Sequence, residues 1–266
     1  MNLKNGLITK NKMSSQSTKK KALVTGGSKG IGFAIARALA SEGYALKLVA
    51  RDTASLEQAK AELIQEFNIP VEIYPLNLSL EQDIEKLVPV FSEVDVLVNS
   101  AGAIGRGGIL EIEPKNFRDA WDGKVMSTIM LSRAACTQMY RKQSGVIINI
   151  IGTAGERLNA KSIGTTAANA ALIAFTKALG SESVDHCVRV VGINPGLTRT
   201  GRTQNLLNPK TDIDRNAYDA MLKNLPYGRM GEASEIADLA VFLVSDKAKY
   251  ISGEVISVDG GARFRY

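Results

Sequence analysis

The chain has 266 residues, of which 45% are hydrophobic and 23% charged. That excludes a disordered chain, a collagen-like repeat and a small disulfide scaffold, and the length suits one large domain or two small ones. No apolar run approaches the roughly 18 residues of a membrane span, and the basic N-terminus lacks the apolar core of a secretion signal. A cytoplasmic protein with no membrane partner is therefore expected. The formal charge of +6 suggests nucleic acid until it is located: Lys4, Lys10, Lys12, Lys19, Lys20 and Lys21 precede the first acidic residue and account for the excess. The body beyond them is balanced, so nucleic acid is not an expected partner. A single histidine, His186, excludes a His-rich metal site, and no metal is expected. Cys136 and Cys187 read as reduced, buried thiols.

Residues 1–20 are polar and basic without a helical or strand period, and read as a mobile tail. From Lys21 onward short apolar runs alternate with longer amphipathic stretches. Strands are predicted at 22–25, 45–50, 71–75, 94–98, 146–151, 188–193 and 254–258. Several are apolar without alternation, as in strands covered on both faces. Helices are predicted between them at 31–42, 54–67, 80–91, 117–142, 165–183 and 232–244. Asp52 and Ser79 are suitable N-caps, and Pro114 opens a further helix. This alternation means α/β architecture: a single doubly wound parallel-sheet domain over residues 21–266, of about seven strands with helices on both faces. The stretch 197–231 breaks the rhythm. It is polar, carries a weak helical pattern at 213–225, and is a candidate lid over the strand ends.

The strongest local signal is Thr25-Gly26-Gly27-Ser28-Lys29-Gly30-Ile31-Gly32. It follows the first strand and opens the first helix. Glycines permit a tight turn and close approach of a pyrophosphate, and the helix start offers unpaired N–H groups and a positive dipole end.

The glycine spacing resembles the T-G-x-x-x-G-x-G fingerprint of the short-chain dehydrogenase/reductase family. Asn99-Ser100-Ala101-Gly102 resembles its N-N-A-G segment, and Asn194-Pro195-Gly196 with Thr200 its P-G-x-x-x-T segment. Ile251-Ser252-Gly253 and Val258-Asp259-Gly260-Gly261 resemble its C-terminal signature. The resemblance covers residues 21–261. It implies a Rossmann fold, a nicotinamide cofactor, a small-molecule alcohol or carbonyl substrate, and a homo-oligomer, a dimer or tetramer, built on two long helices and the last strand. It places cofactor contacts at Gly26, Ser28, Lys29, Gly30, Ile31, Gly32, Arg51, Asn77, Leu78, Asn99, Ala101, Gly102, Ile150, Pro195, Gly196 and Thr200. Where an NAD reader carries an acid at the end of the second strand, this chain has Ala50 and then Arg51. With Lys29 nearby, two cations favour the 2′-phosphate of NADP, with NAD second. Asp52 is one position late for the ribose and reads as the helix cap.

The catalytic positions depart from the family. The resemblance implies a Tyr and, four residues later, a Lys on one helix face, a Ser after the fifth strand and an Asn on the preceding helix. The residues there are Thr165, Asn169, Gly152 and Lys124. A Thr hydroxyl is far less acidic than a phenol, and a neutral Asn cannot lower a neighbour's pKa by its charge. Lys124, Thr165 and Asn169 are the candidate catalytic residues. Lys124 is open to two readings, a cation acting in the site or a helix-surface lysine. Thr153, Glu156, Arg157, Lys161 and Ser162 are further polar residues of the loop above. Three functions stay open: an NADP-dependent oxidoreductase with altered catalytic residues, a dehydratase or isomerase on the same fold, and a catalytically silent nucleotide-binding subunit.

Overall fold

The computed structural model describes residues 19–102, 104–105, 107–203 and 221–265. Nearly all of the predicted tail, the middle of the candidate lid and most of its helical pattern lie outside the described residues.

The main sheet joins β1 (Lys21–Thr25), β2 (Ala45–Ala50), β3 (Val71–Pro75), β4 (Val96–Asn99), β5 (Gly145–Ile150), β6 (Val188–Pro195) and the last strand, β9 (Val255–Val258). All its neighbours pair in parallel, in the order β3-β2-β1-β4-β5-β6-β9. Two short strands, β7 (Thr198–Arg199) and β8 (Gly231–Glu232), pair separately. Successive residues of β1 show why its run is uninterruptedly apolar. Ala22 and Val24 pack with Ile35 and Leu39 on one face, while Leu23 packs with Leu131 and Met139 on the other. The order reverses between β1 and β4, which opens a crevice at the carboxyl ends of these two strands.

Among the described residues the helices are α1 (Gly30–Ser41), α2 (Thr53–Phe67), α3 (Glu81–Glu85), α4 (Pro114–Trp121), α5 (Ser127–Lys142), α6 (Ile163–Glu182) and α7 (Ala233–Val244). Asp52 caps α2 as expected, accepting from the Ser55 backbone N–H at 2.9 Å. Three expectations are corrected. The helix predicted over 80–91 is only the short α3, followed by a 3-10 segment at Val88–Glu93, because Pro89 has no N–H to continue an α-helix. Leu80, not Ser79, is the N-cap of α3; Ser79 donates through its backbone N–H and hydroxyl to Asn77 Oδ1. Cys136 is buried, but Cys187 is exposed, in a left-handed turn with φ of 57° that leads into β6. Among the described residues no helix is long and apolar enough to cross a membrane, and no cluster of side chains is suited to a metal ion.

One side chain ties the two strands flanking the crevice. Thr25, 1% exposed, accepts through Oγ1 from the backbone N–H groups of Ser100 (2.9 Å) and Ala101 (3.0 Å). Thr25→Val keeps the shape and removes the acceptor, leaving two N–H groups unpaired. The expected loss is about 1–3 kcal/mol of unfolding free energy, read from urea denaturation.

Candidate active site

The turn between β1 and α1 is anchored by the Gly26 N–H, which donates to Val49 O at 2.8 Å. Gly26 has φ of +65°, and a Cβ there would stand 2.9 Å from Ser100 O. The turn and the exit of β4 therefore touch backbone to backbone, which only glycine allows. Helix α1 starts at Gly30 with no side-chain cap and no acid in its first turn. Its N–H groups and positive dipole end remain available to an anion, so the residues fit a dinucleotide pyrophosphate. Ser28 and Ile31 are half-buried along this turn, and Gly32 is buried in the first turn of α1.

Lys29 and Arg51 are exposed, and neither has an ion-pair partner among the described residues. Hydrogen bonds from Ser55 hold the Asp52 carboxyl below the ordinary range, with a smaller contribution from the charge of Lys29. That carboxylate serves the helix cap, which leaves the end of β2 to cations.

The other expected cofactor residues divide into two groups. Asn77 is half-buried and accepts from Ser79 through Oδ1, so its amide NH2 is the end left for a base, beside the buried Leu78. Ala101 and Gly102 line the exit of β4, and Ile150 ends β5 opposite Ile193. Pro195 closes β6, and Gly196 donates to Val258 O at 2.9 Å. Thr200 reaches over the phosphate turn, its methyl 3.6 Å from where a Gly30 Cβ would stand. Asn99 behaves differently. It is 3% exposed, and its amide donates to Ser132 Oγ on α5 (3.2 Å) and across the sheet to Asn149 Oδ1 on β5 (2.9 Å). Asn149 continues the chain to Thr176 Oγ1 at 2.9 Å. The side chain of Asn99 thus binds strands together.

Lys124, Asn169 and Gly152 meet at the exit of β5, with Thr165 on the turn of α6 before Asn169. Gly152 has φ of +122°, a region that strains any residue with a side chain, and its carbonyl accepts from Asn169 Nδ2 at 3.1 Å. Asn169 lies on α6 and is 2% exposed. Thr165, one turn earlier, donates to Ile104 O at 3.3 Å. Lys124 is 8% exposed and donates from Nζ to Ile151 O at 2.8 Å, which corrects the helix-surface reading. Burial first, and the positive charge of Arg202 second, bring its pKa from 10.5 down to about 8.

The reason Lys124 points inward was not visible in the sequence pattern. Between α4 and α5 the residues Asp122–Met126 form a single π-helical turn. Such a turn leaves carbonyls loosely bonded. Here the hydroxyls of Ser127 and Thr128 cover them, donating to Gly123 O (3.0 Å) and Lys124 O (2.7 Å). A glycine followed at short range by adjacent Ser and Thr inside an otherwise helical stretch was the available signal. Gly102 completes the fit: a Cβ there would stand 2.6 Å from Gly123 O and 2.7 Å from Lys124 Cβ. The exit of β4 thus rests directly on the turn that carries the lysine.

The loop above is tied to the C-terminal segment. Glu156 pairs with Arg263 at 3.1 Å and accepts from Asn194 Nδ2 at 3.4 Å, while Arg157 reaches Ala262 O at 3.5 Å. Asn194 Oδ1 in turn accepts from the Gly152 N–H at 3.2 Å. Thr153 opens a short 3-10 turn, and the Lys161 N–H donates to Asn159 Oδ1 at 2.9 Å. Ser162 is the N-cap residue of α6 and makes no side-chain cap there. His186 stacks on Tyr140, ring centroids 4.0 Å apart, with no part in this cluster.

A family model described as enoyl-(acyl carrier protein) reductase matches residues 26–263. The chain is 35% identical over 244 residues to the 3-oxoacyl-[acyl-carrier-protein] reductase FabG of Escherichia coli (strain K12), covering 90% of this chain and 96% of that protein. It is 33% identical over 247 residues to the same-named protein of Staphylococcus epidermidis, covering 91% and 98%. Among solved structures it is similar to L-sorbose reductase from Gluconobacter frateurii complexed with NADPH and L-sorbose. That match has a TM-score of 0.86 and 30% identity, and covers 92% of this chain and 97% of that one.

Lys124 makes a stability prediction with a definite sign. Its pKa is lower folded than unfolded, so the folded state holds fewer protons between about 8 and 10.5. Its burial therefore opposes folding fully below that window and ceases to do so above it. Lys124→Met is expected to stabilise the protein at pH 7 by an amount on the order of 3 kcal/mol at most. The gain should shrink steadily as urea denaturation is repeated from pH 8 to pH 10.5.

Proposed function

The chain belongs to the short-chain dehydrogenase/reductase family, and from that premise we propose that it is an NADPH-dependent oxidoreductase interconverting a carbonyl and an alcohol. The observation that carries the cofactor is the uncapped start of α1 flanked by Lys29 and Arg51, two exposed cations without ion-pair partners among the described residues. The pyrophosphate belongs at the α1 start and the 2′-phosphate between the two cations. Bound NADPH supplies the hydride. The chain's own part is to hold the nucleotide, to align a carbonyl beside it at the exit of β5, and to furnish a proton. The similarity to 3-oxoacyl reductases makes a 3-oxoacyl thioester the first substrate to assay.

NADPH is expected to bind roughly tenfold or more tightly than NADH, the worth of one charge-assisted pair. Arg51→Asp should narrow or reverse the difference. Nicotinamide fluorescence titration measures both, and equal affinities in the native protein would remove the assignment.

A second reading has an observation in its favour. Lys124, Thr165 and Asn169 each donate to a backbone carbonyl of their own chain, as residues of a silent nucleotide-binding subunit would. NADPH binding without NADPH oxidation across a panel of 3-oxoacyl thioesters, sugars and cyclic ketones supports that reading over the first.

The assembly expected from the family resemblance has a matching surface. Ala167, Ala170, Ala174 and Ala178 are exposed along one side of α6, where small side chains permit close helix approach. We expect a dimer or tetramer built through α5, α6 and β9. Light scattering at micromolar concentration should report a multiple of 28.5 kDa, and the single-chain mass would rule the assembly out.

A further inference from the structure

Two helices deliver one nitrogen each to consecutive peptide groups at the exit of β5. Lys124, from the π-helical turn, donates to Ile151 O at 2.8 Å. Asn169, from α6, donates to Gly152 O at 3.1 Å. The ammonium has three donors, and among the described residues one is engaged. Among the described residues the charged group acting on it is Arg202, in the turn Gly201–Thr203, another cation; no carboxylate from α4, α5, α6 or the exit of β4 offsets it. Asn169 carries a matching deficit, since its buried Oδ1 has no hydrogen-bond partner among the described residues. A buried ammonium lacking a counter-ion opposes folding, and its single bond to a carbonyl could be made by a neutral amide. Position 124 thus carries a charge that the fold itself does not need.

The geometry points to an exchange of roles between the two helices: the ammonium that the family resemblance places at position 169 stands at position 124, the amide has moved the other way, and Lys124 is the acid that protonates the substrate oxygen. This rests on the reductase reading above. As the carbonyl carbon gains the hydride, the C=O π pair passes to oxygen. That oxygen takes a proton from Nζ, an O–H bond forming as an N–H bond breaks. The lysine is left as a neutral amine and regains its proton from water. Thr165 is unsuited to this step, because an alkyl hydroxyl is a far weaker acid and this one is turned to Ile104 O. A lysine pKa lowered to about 8 keeps the acid form dominant at neutral pH while easing release of the proton.

The test combines turnover with a measurement that does not need it. NADPH oxidation is followed with acetoacetyl thioester in the native protein, Lys124→Met, Lys124→Arg and Thr165→Val, with NADPH affinity measured on each. Lys124→Met is expected to lose roughly 100-fold or more in turnover while binding NADPH within a few-fold of native. Lys124→Arg keeps the charge but cannot release a proton, and should be equally slow. The native rate should fall above about pH 8, where Lys124 loses its proton. Separately, acetic anhydride labelling read by mass spectrometry should show Lys124 half-reactive near the same pH and protected by NADPH. Unchanged turnover in Lys124→Met, full turnover in Lys124→Arg, loss in Thr165→Val alone, or no protection by NADPH would each overturn the assignment. A native protein that binds NADPH but oxidises none removes the reductase reading, and the acid with it, a different failure from a working enzyme indifferent to Lys124.

Discussion

Everything at this site depends on backbone meeting backbone where the strand order reverses. A parallel sheet can present ligands only at its strand ends, and here the two strands that flank the crevice are pinned by one hydroxyl, that of Thr25. With the exit of β4 fixed, the phosphate turn closes on it through Gly26, and the π-helical turn closes on it from the other side through Gly102. The nucleotide cradle and the buried lysine are therefore two sides of the same short segment, Asn99–Gly102. A displacement on one side is transmitted to the other, because the contacts at Gly26 and Gly102 leave no space for a side chain to absorb it.

The placement of Lys124 is at odds with stability. A protein selected only to fold would put an apolar residue or an amide there, since the ammonium gains a single carbonyl bond and lies near a second cation. Charges held against folding tend to be found where chemistry uses them. The π-helical turn belongs to the same pattern. It interrupts what would otherwise be one helix from Pro114 to Lys142, and the hydroxyls of Ser127 and Thr128 are needed to cover the carbonyls it loosens. The loop facing it is held by a separate set of contacts, from Arg263 through Glu156 and Asn194 to Gly152. Both walls of the site are thus fixed by hydrogen bonds and ion pairs of the chain itself.

Periodicity was a sound guide wherever one rule governs a whole element. The strands of the main sheet were legible because most are short, mainly apolar runs with little alternation, and β2 and β3 fall at their predicted bounds. It failed where a single residue overrides the period, as Pro89 does in the helix expected over 80–91. The phosphate turn was legible because its glycines answer local steric demands. The burial of Lys124 was not, since a charged residue in a helical run looks like surface until the extra residue of a π-helical turn rotates it inward. Asn99 shows a third case. Its place in a cofactor motif suggests a ligand contact, and the tertiary structure adds that its NH2 is engaged by Ser132 and Asn149 while its Oδ1 has no partner among the described residues.

Gly152 couples the positions around it. Its φ of +122° suits glycine and strains any residue with a side chain. A Cβ at this position would also stand 3.0 Å from Asn169 Nδ2, so the amide must move before a side chain fits. A lysine placed at 169 would in turn meet the ammonium already at 124 beside the same pair of carbonyls. A side chain at 152 or a second ammonium at 169 thus requires a matching change at its neighbour, so positions 124, 152 and 169 are energetically coupled.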